Sequence, residues 1–347
     1  MKEKNASNGS YIMLISIHGL VRGSDLELGR DADTGGQIKY VVELTRALTQ
    51  HPEVGQVDLV TRLVSDPKVD PIYAREVEEL ASGARIVRIA CGPRRYVPKE
   101  SLWPYLEEFV DNTVAYMRAL GRVPDLVHGH YADAGHVASR LSSLLDIPMV
   151  FTGHSLGRVK RQRLLDQGMK PETIEKRYRM TRRIEAEETA LDHAAFVVTS
   201  TQQEVEEQYA LYDHYQPKRM MVIPPAVDLS RFTSDTENRE DATEIKGRIS
   251  RFLRNPDKPM ILALARPDRK KNLTTLIRAF GENRRLREKA NLVIIAGNRD
   301  DIRVMDKGIR EVLDEILYLV DLHDLYGQIA YPKAAFGRNQ IVFEQCL

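Results

Sequence analysis

Short apolar runs alternate with amphipathic stretches through most of the chain. The runs at 12–17, 57–61, 85–89, 125–128, 149–152, 196–200 and 221–223 have strand length and polar or turn-forming borders. Between several of them lie helical patterns at 38–48, 101–120 and 171–191. The first places Ile38, Val41, Val42 and Leu48 on one face. This alternation predicts parallel strands with helices on both faces, wound by right-handed crossovers into a doubly wound sheet. After Pro224-Pro225 the stretch 230–258 is polar and charged, and reads as a linker or surface excursion. A second series follows: strand 260–265, helix 274–287, strand 292–296, helix 301–320, strand 328–331. The expected organisation is an α/β domain over 1–225, a linker over 226–258 and a partial second domain of the same kind over 259–347. Residues 334–347 lack the periodicity to continue it, which would leave a parallel sheet with an open edge.

Length and charge narrow the function without naming it. The chain has 347 residues and a net charge of +1, so nothing global selects nucleic acid or an anionic membrane as partner. No apolar run has the length of a membrane span, and the first ten residues lack the order of a signal peptide. The two cysteines, Cys91 and Cys346, stand in no motif, which suits a reducing cytoplasm.

The candidate chemistry clusters at predicted strand ends, where open α/β sheets bind ligands. Gly35-Gly36, between the first strand and the first helix, lets backbone N–H groups approach a ligand at a helix start. Gln37 adds an amide suited to hydroxyl-rich ligands; a tight turn is the plainer reading of the glycine pair. His128-Gly-His130 places two imidazoles on one side of a strand, without the further ligands a zinc site needs. His154 lies among small residues after the strand at 149–152. The basic cluster after it, including Lys160, divides between solvated side chains and phosphate ligands. Arg182 and Arg183 share a helix with Glu185, Glu187 and Glu188, and an Arg183–Glu187 pair at i,i+4 reads as an ordinary surface salt bridge. Arg266 and Lys271 flank a Pro-containing turn into a helix, where cations are favourable only beside an anion. Neither a G-x-G-x-x-G fingerprint nor a Walker loop is present, which removes the nicotinamide-oxidoreductase and P-loop readings.

Several ordered motifs resemble one family. The run from His18 to Gln37, Trp103-Pro-Tyr105, His128 to Gly135, Thr152 to Arg158, Arg182 to Glu188, Ala265 to Asn272 and Gly297 to Asp301 are similar to segments of sucrose-phosphate synthases. The resemblance runs from about residue 11 to 333. It implies a GT-B enzyme with two Rossmann-like domains, the second incomplete here. Such a hexosyltransferase moves glucose from UDP-glucose to fructose 6-phosphate with retention, needs no metal or other cofactor, and yields sucrose 6-phosphate and UDP. It further implies that Arg266, Lys271 and the Gly35-Gly36 backbone take the donor diphosphate and that His154 contacts the donor glucose. Gln37, Arg95, Lys160, Arg182 and Arg183 would hold the acceptor and its phosphate. Catalytic roles would fall to His154, Arg266 and Lys271.

After Lys333 the family continues into a base-binding segment and a pair of glutamates for the donor, which the residues here do not match. The expectation is a reading frame that ends early or shifts after Lys333, with impaired turnover. Sucrose synthase and a non-catalytic sugar-phosphate-binding chain are the rival functions. Self-association is left open.

Overall fold

The first strand shows why the sheet is covered twice. Along β1 (Ser10–Ile15), Tyr11, Met13 and Ile15 enter one apolar cluster while Ile12 and Leu14 enter another. Side chains alternate across a strand, so an unbroken apolar run demands a helix layer on each face. The computed structural model describes residues 9–28, 30–31, 33–226, 240–296 and 301–333. The chain separates into two compact units, Met1–Ala226 and Val227–Leu347.

In the first unit β1 is joined by β2 (Val54–Arg62), β3 (Val77–Ala81), β4 (Ala84–Ile89), β5 (Leu126–His130), β6 (Met149–Thr152), β7 (Phe196–Thr199) and β8 (Met220–Val222). Among the described residues these form one sheet in the order β3-β4-β2-β1-β5-β6-β7-β8. Every pairing is parallel except β3 with β4. The helices are α1 (Gly36–Leu48), α2 (Leu106–Leu120), α3 (Tyr131–Leu145), α4 (Gly157–Asp166), α5 (Pro171–Tyr178) and α6 (Met180–His193). α1 covers the face with Ile12 and Leu14; α2, α3 and α6 cover the other, which also encloses Cys91. The strand order reverses between β1 and β5, which makes the carboxyl ends of those two strands the switch point where such sheets take ligands.

The predicted strands are present within two residues at their ends, except that β2 starts three residues earlier than expected, at Val54. The helical expectations need more correction: the pattern at 101–120 is α-helical only from Leu106, after 3-10 turns at Lys99–Ser101 and Trp103–Tyr105, and that at 301–320 only from Lys307. The stretch 171–191 is two helices, because Arg179 adopts φ +48 and breaks the turn. The stretch 274–287 divides into α8 (Leu273–Glu282) and α9 (Arg284–Lys289), the second capped by Asn283, whose side chain accepts from the Leu286 N–H. The stretch read as linker contains α7 (Glu240–Ser250), whose Ile249 is buried against the second sheet. One short stripe of Ile245 and Ile249 was too little apolar signal in a charged segment.

The second unit holds β9 (Met260–Leu264), β10 (Asn291–Ile295) and β11 (Ile329–Ala330), parallel, in the order β11-β10-β9. β10 repeats the logic of β1. Leu292 and Ile294 pack under α8 and α10 (Lys307–Leu322), while Val293 and Ile295 pack towards α7.

Candidate functional site

At the start of α1 the glycine pair can be tested against the tight-turn reading. Neither glycine has positive φ, and a Cβ on either would meet nothing within 4 Å. Turn geometry and packing therefore give no reason for glycine at 36, and at 35 only the helix N-cap's own preference does; close approach by a ligand accounts for the pair. α1 has no side-chain cap and no acid in its first turn, so its leading N–H groups remain available to an anion. Residues 297–300 lie outside the described residues; Asp301, next to them, pairs with Arg303 at 2.7 Å.

Around this helix start the ends of β1, β5 and β6 converge. Gln37 Nε2 donates to Ser16 Oγ at 3.3 Å and to the His130 carbonyl at 3.4 Å. His130 Nδ1 lies 3.0 Å from His154 Nε2, and His128 Nε2 lies 2.8 Å from Thr152 Oγ1. The rings of His128 and His130 are 4.1 Å apart, and Tyr40 of α1 sets its ring edge-on to both His130 and His154. The three polar clusters read at separate strand ends thus form one group. Among the described residues no cluster of three or more His, Cys, Asp or Glu is placed to hold a metal ion.

Burial sets the charge of these rings. It lowers the pKa of His128 to about 3, with His154 adding to the effect. It drives His130 well below the usual value, helped by His128 and His154. At His154, which is exposed, surrounding protein mass and then His18 act in the same direction. All three are neutral near pH 7, able to donate and accept hydrogen bonds but not to act as cations. Stability follows from the sign of the shift. The unfolded chain takes up protons on these groups below about pH 6.5 and the folded chain does not. The protein is therefore expected to lose stability as pH falls from 7 to 5, by on the order of 1–2 kcal/mol for each of the two buried rings. Urea unfolding midpoints at the two pH values measure this, and an unchanged midpoint contradicts it.

The loop carrying His154 is held from three sides. Gly153 donates its N–H to Tyr209 Oη at 3.1 Å; a π-turn at Glu204–Gln208 precedes that tyrosine. The Arg183 guanidinium donates to the Ser155 carbonyl. Glu187 accepts from the N–H of Gly157 at 2.9 Å, capping α4 from a neighbouring helix. A Cβ at Gly157 would fall 2.7 Å from Glu187 Oε2, so this glycine is needed for close approach. Between the first two clamps His154 has φ +54, and Tyr131, at the turn from β5 into α3, has φ +79. Left-handed geometry in such residues costs roughly 1–3 kcal/mol each and persists where surroundings over-determine it, as at ligand sites.

The Arg183–Glu187 pair expected at a helix surface is present at 3.0 Å, but it is buried. Tyr212 Oη donates to Glu187 at 2.5 Å, and the Arg183 guanidinium lies 4.5 Å over the Tyr131 ring. Burial raises the pKa of Glu187 against the pull of Arg183 and Tyr212. Periodicity alone gave no sign that α6 turns this pair inward.

Arg183 also lines a shallow, open depression with Lys99, Glu100, Trp103, Tyr131, Asp133 and Tyr178. Lys160 stands at its margin, its ammonium 4.0 Å from the centre of the Tyr178 ring. Arg95 and Arg182 are not among the lining residues. Arg95 is exposed and engaged through its carbonyl by Arg62, and Arg182 is exposed 3.9 Å from Glu185. Lys99, passed over in the sequence, lies in the pocket with its ammonium paired to Asp33. Burial raises the pKa of Asp33, but Lys99 more than offsets this and the net shift is downward. His18 and Asp133, also passed over, pair at 2.8 Å beside Tyr131. Their signal was positional: one follows β1 and the other opens α3.

In the second unit Arg266 and Lys271 lie in the turn from β9 into α8, both exposed, and neither pairs with a carboxylate among the described residues.

Doubly wound parallel units of this kind are the building blocks of the GT-B glycosyltransferase fold, and the family match assigns the chain to that class. Residues 9–233 match the family model described as the sucrose synthase first GT-B domain, and the chain belongs to that family. Its curated relatives include a probable sucrose-phosphate synthase 1 of Oryza sativa subsp. indica, 49% identical, the alignment covering 95% of this chain and 36% of the relative. The sucrose-phosphate synthase of Zea mays is 48% identical, with 95% and 37% covered. A solved sucrose-phosphate synthase from Thermosynechococcus elongatus is 26% identical with a TM-score of 0.67, covering 97% of this chain and 73% of that one. The chain spans little more than a third of the length of these curated relatives. Among the described residues no helix is long and apolar enough to cross a membrane.

Proposed function

We propose that this chain serves transfer of glucose from UDP-glucose to fructose 6-phosphate with retention, the reaction of a sucrose-phosphate synthase. The observation that carries the reading is the glycine pair whose missing Cβ atoms open onto empty space at an uncapped helix start. The difficult event in such a transfer is departure of a diphosphate from an oxocarbenium-like carbon. Donors aimed at the departing oxygens stabilise it. The N–H groups of Gly36 and Gln37 supply such donors, and Arg266 and Lys271 of the second unit supply cations for the same kind of anion. His154, neutral and exposed, hydrogen-bonds the donor glucose without adding charge. No metal is assigned a part.

The acceptor reading rests on the pocket that Lys99 and Arg183 line. Lys160 and Gln37 complete the set around the sugar and its phosphate, and Lys99 takes the place first given to Arg95. A second reading, transfer to unphosphorylated fructose, draws support from the family model's own description. Calorimetric titration separates the two. Fructose 6-phosphate is expected to bind roughly tenfold or more tightly than fructose, the value of about one charge-assisted hydrogen bond. Lys99→Ala is expected to remove that preference. Equal affinity for the two sugars, or a preference that survives Lys99→Ala, removes the phosphate reading.

A further inference from the structure

His130 is fully buried at the last position of β5, directly across from Thr152 on β6. Among the described residues its ring makes one polar contact, Nδ1 to His154 Nε2 at 3.0 Å. Its other nitrogen, Nε2, is buried with no hydrogen-bond partner among the described residues. His128, stacked beside it, is already satisfied by Thr152. His154 is exposed, and its Nδ1 has no partner among the described residues.

We propose that His130 is a positioning residue that fixes the tautomer of His154, so that His154 presents an Nδ1–H donor to the bound sugar. The reasoning is a proton count. A neutral imidazole carries one N–H, and the 3.0 Å contact needs one donor and one acceptor. If His154 donates through Nε2, His130 accepts at Nδ1 and must bury an N–H at Nε2 with nothing to receive it. If His130 donates through Nδ1, only a lone pair is left unused at Nε2. Orphaned buried N–H groups are rarer in folded proteins than underused acceptors, so the second arrangement is preferred. Nε2 of His154 is then occupied as an acceptor, and its single proton resides on Nδ1, on the open side. A donor there recognises an oxygen with a lone pair to offer, such as a sugar hydroxyl. Tyr40, edge-on to both rings, and the clamps on Gly153 and Ser155 hold the plane in which this contact works.

The consequence for catalysis rests on the reading of His154 given above, but the tautomer does not, and the test separates them. Imidazole nitrogen spectra of the full chain with ¹⁵N-labelled histidine, recorded at pH 7.5 without sugar, distinguish the two neutral forms. The wild type is expected to show His154 and His130 both as Nδ1–H tautomers. In His130→Phe, which keeps a ring of similar bulk, His154 is expected to become a mixture of both forms. In His130→Asn the side-chain amide can still donate from near the Nδ1 position, and the single form is expected to return. A thermal melt of each variant shows that it is folded, and the wild-type spectrum alone decides if His130→Phe is not. An Nε2–H form of His154 in the wild type, or an unchanged Nδ1–H form in folded His130→Phe, overturns the proposal. Failure of the sugar titrations with the expected spectra would remove the functional reading and leave the tautomer assignment standing.

Discussion

Replacing Glu187 with alanine is expected to cost about 3–5 kcal/mol of folding stability, the usual penalty for removing one partner of a buried ion pair. Three donors lose their acceptor at once: the Arg183 guanidinium, the Tyr212 hydroxyl and the Gly157 N–H. Arg183 retains the Ser155 carbonyl, but its charge stays enclosed beside Tyr131. Urea denaturation measures the loss; a change below about 1 kcal/mol would mean that Arg183 swings out to solvent. The pair itself is a poor source of net stability, since two charges must leave water to form it. A double variant, Arg183→Met with Glu187→Leu, is therefore expected to recover only the part of the loss owed to the stranded charge, since the Tyr212 hydroxyl and the Gly157 N–H still lack an acceptor. It should not recover affinity for a sugar phosphate, because the pocket beside Tyr131 has lost its guanidinium.

Gly36→Val should have the opposite profile. The residue is helical, with open space where a side chain would grow. Losing glycine's freedom in the unfolded chain is expected to leave stability unchanged or raise it by up to about 1 kcal/mol. Affinity for UDP-glucose, by calorimetry, is expected to fall about a hundredfold, near 3 kcal/mol, as the isopropyl group occupies the approach to the N–H groups. Retained affinity, or a loss of stability without any effect on binding, would show that the glycine pair answers to something other than a ligand.

Much of this was readable in the sequence, and the exceptions share causes. β1, β6 and β10 announced themselves because strands covered on both faces are nearly unbroken apolar runs. β3 did not: its residues alternate between exposed and half-buried positions at an antiparallel edge, and Glu78-Glu79 gives it no apolar signature. α3 was missed for the reverse reason. Tyr131 to Gly135 are all buried, so the helix begins enclosed on every side and shows no stripe. α4 is too basic to show one either. The site followed the same division. Gly35, Gln37, His130 and His154 stood at strand ends, where topology gives position a meaning. The inward turn of Arg183 and Glu187, and the nearness of Lys99 to Arg183, depend on how helices far apart in the chain pack, which no local spacing records.

Cys91 gives the main core a built-in clock. It is enclosed with the residues between the sheet and α2, and burial pushes its thiol up to about 11 despite the opposing influence of Arg62. A thiol so protonated and so enclosed reacts with an alkylating reagent only while the core stands open. In a Cys346→Ser background, the rate of iodoacetamide capture at Cys91 should therefore report how often that core opens. It should quicken on the same substitutions that lower the urea midpoint.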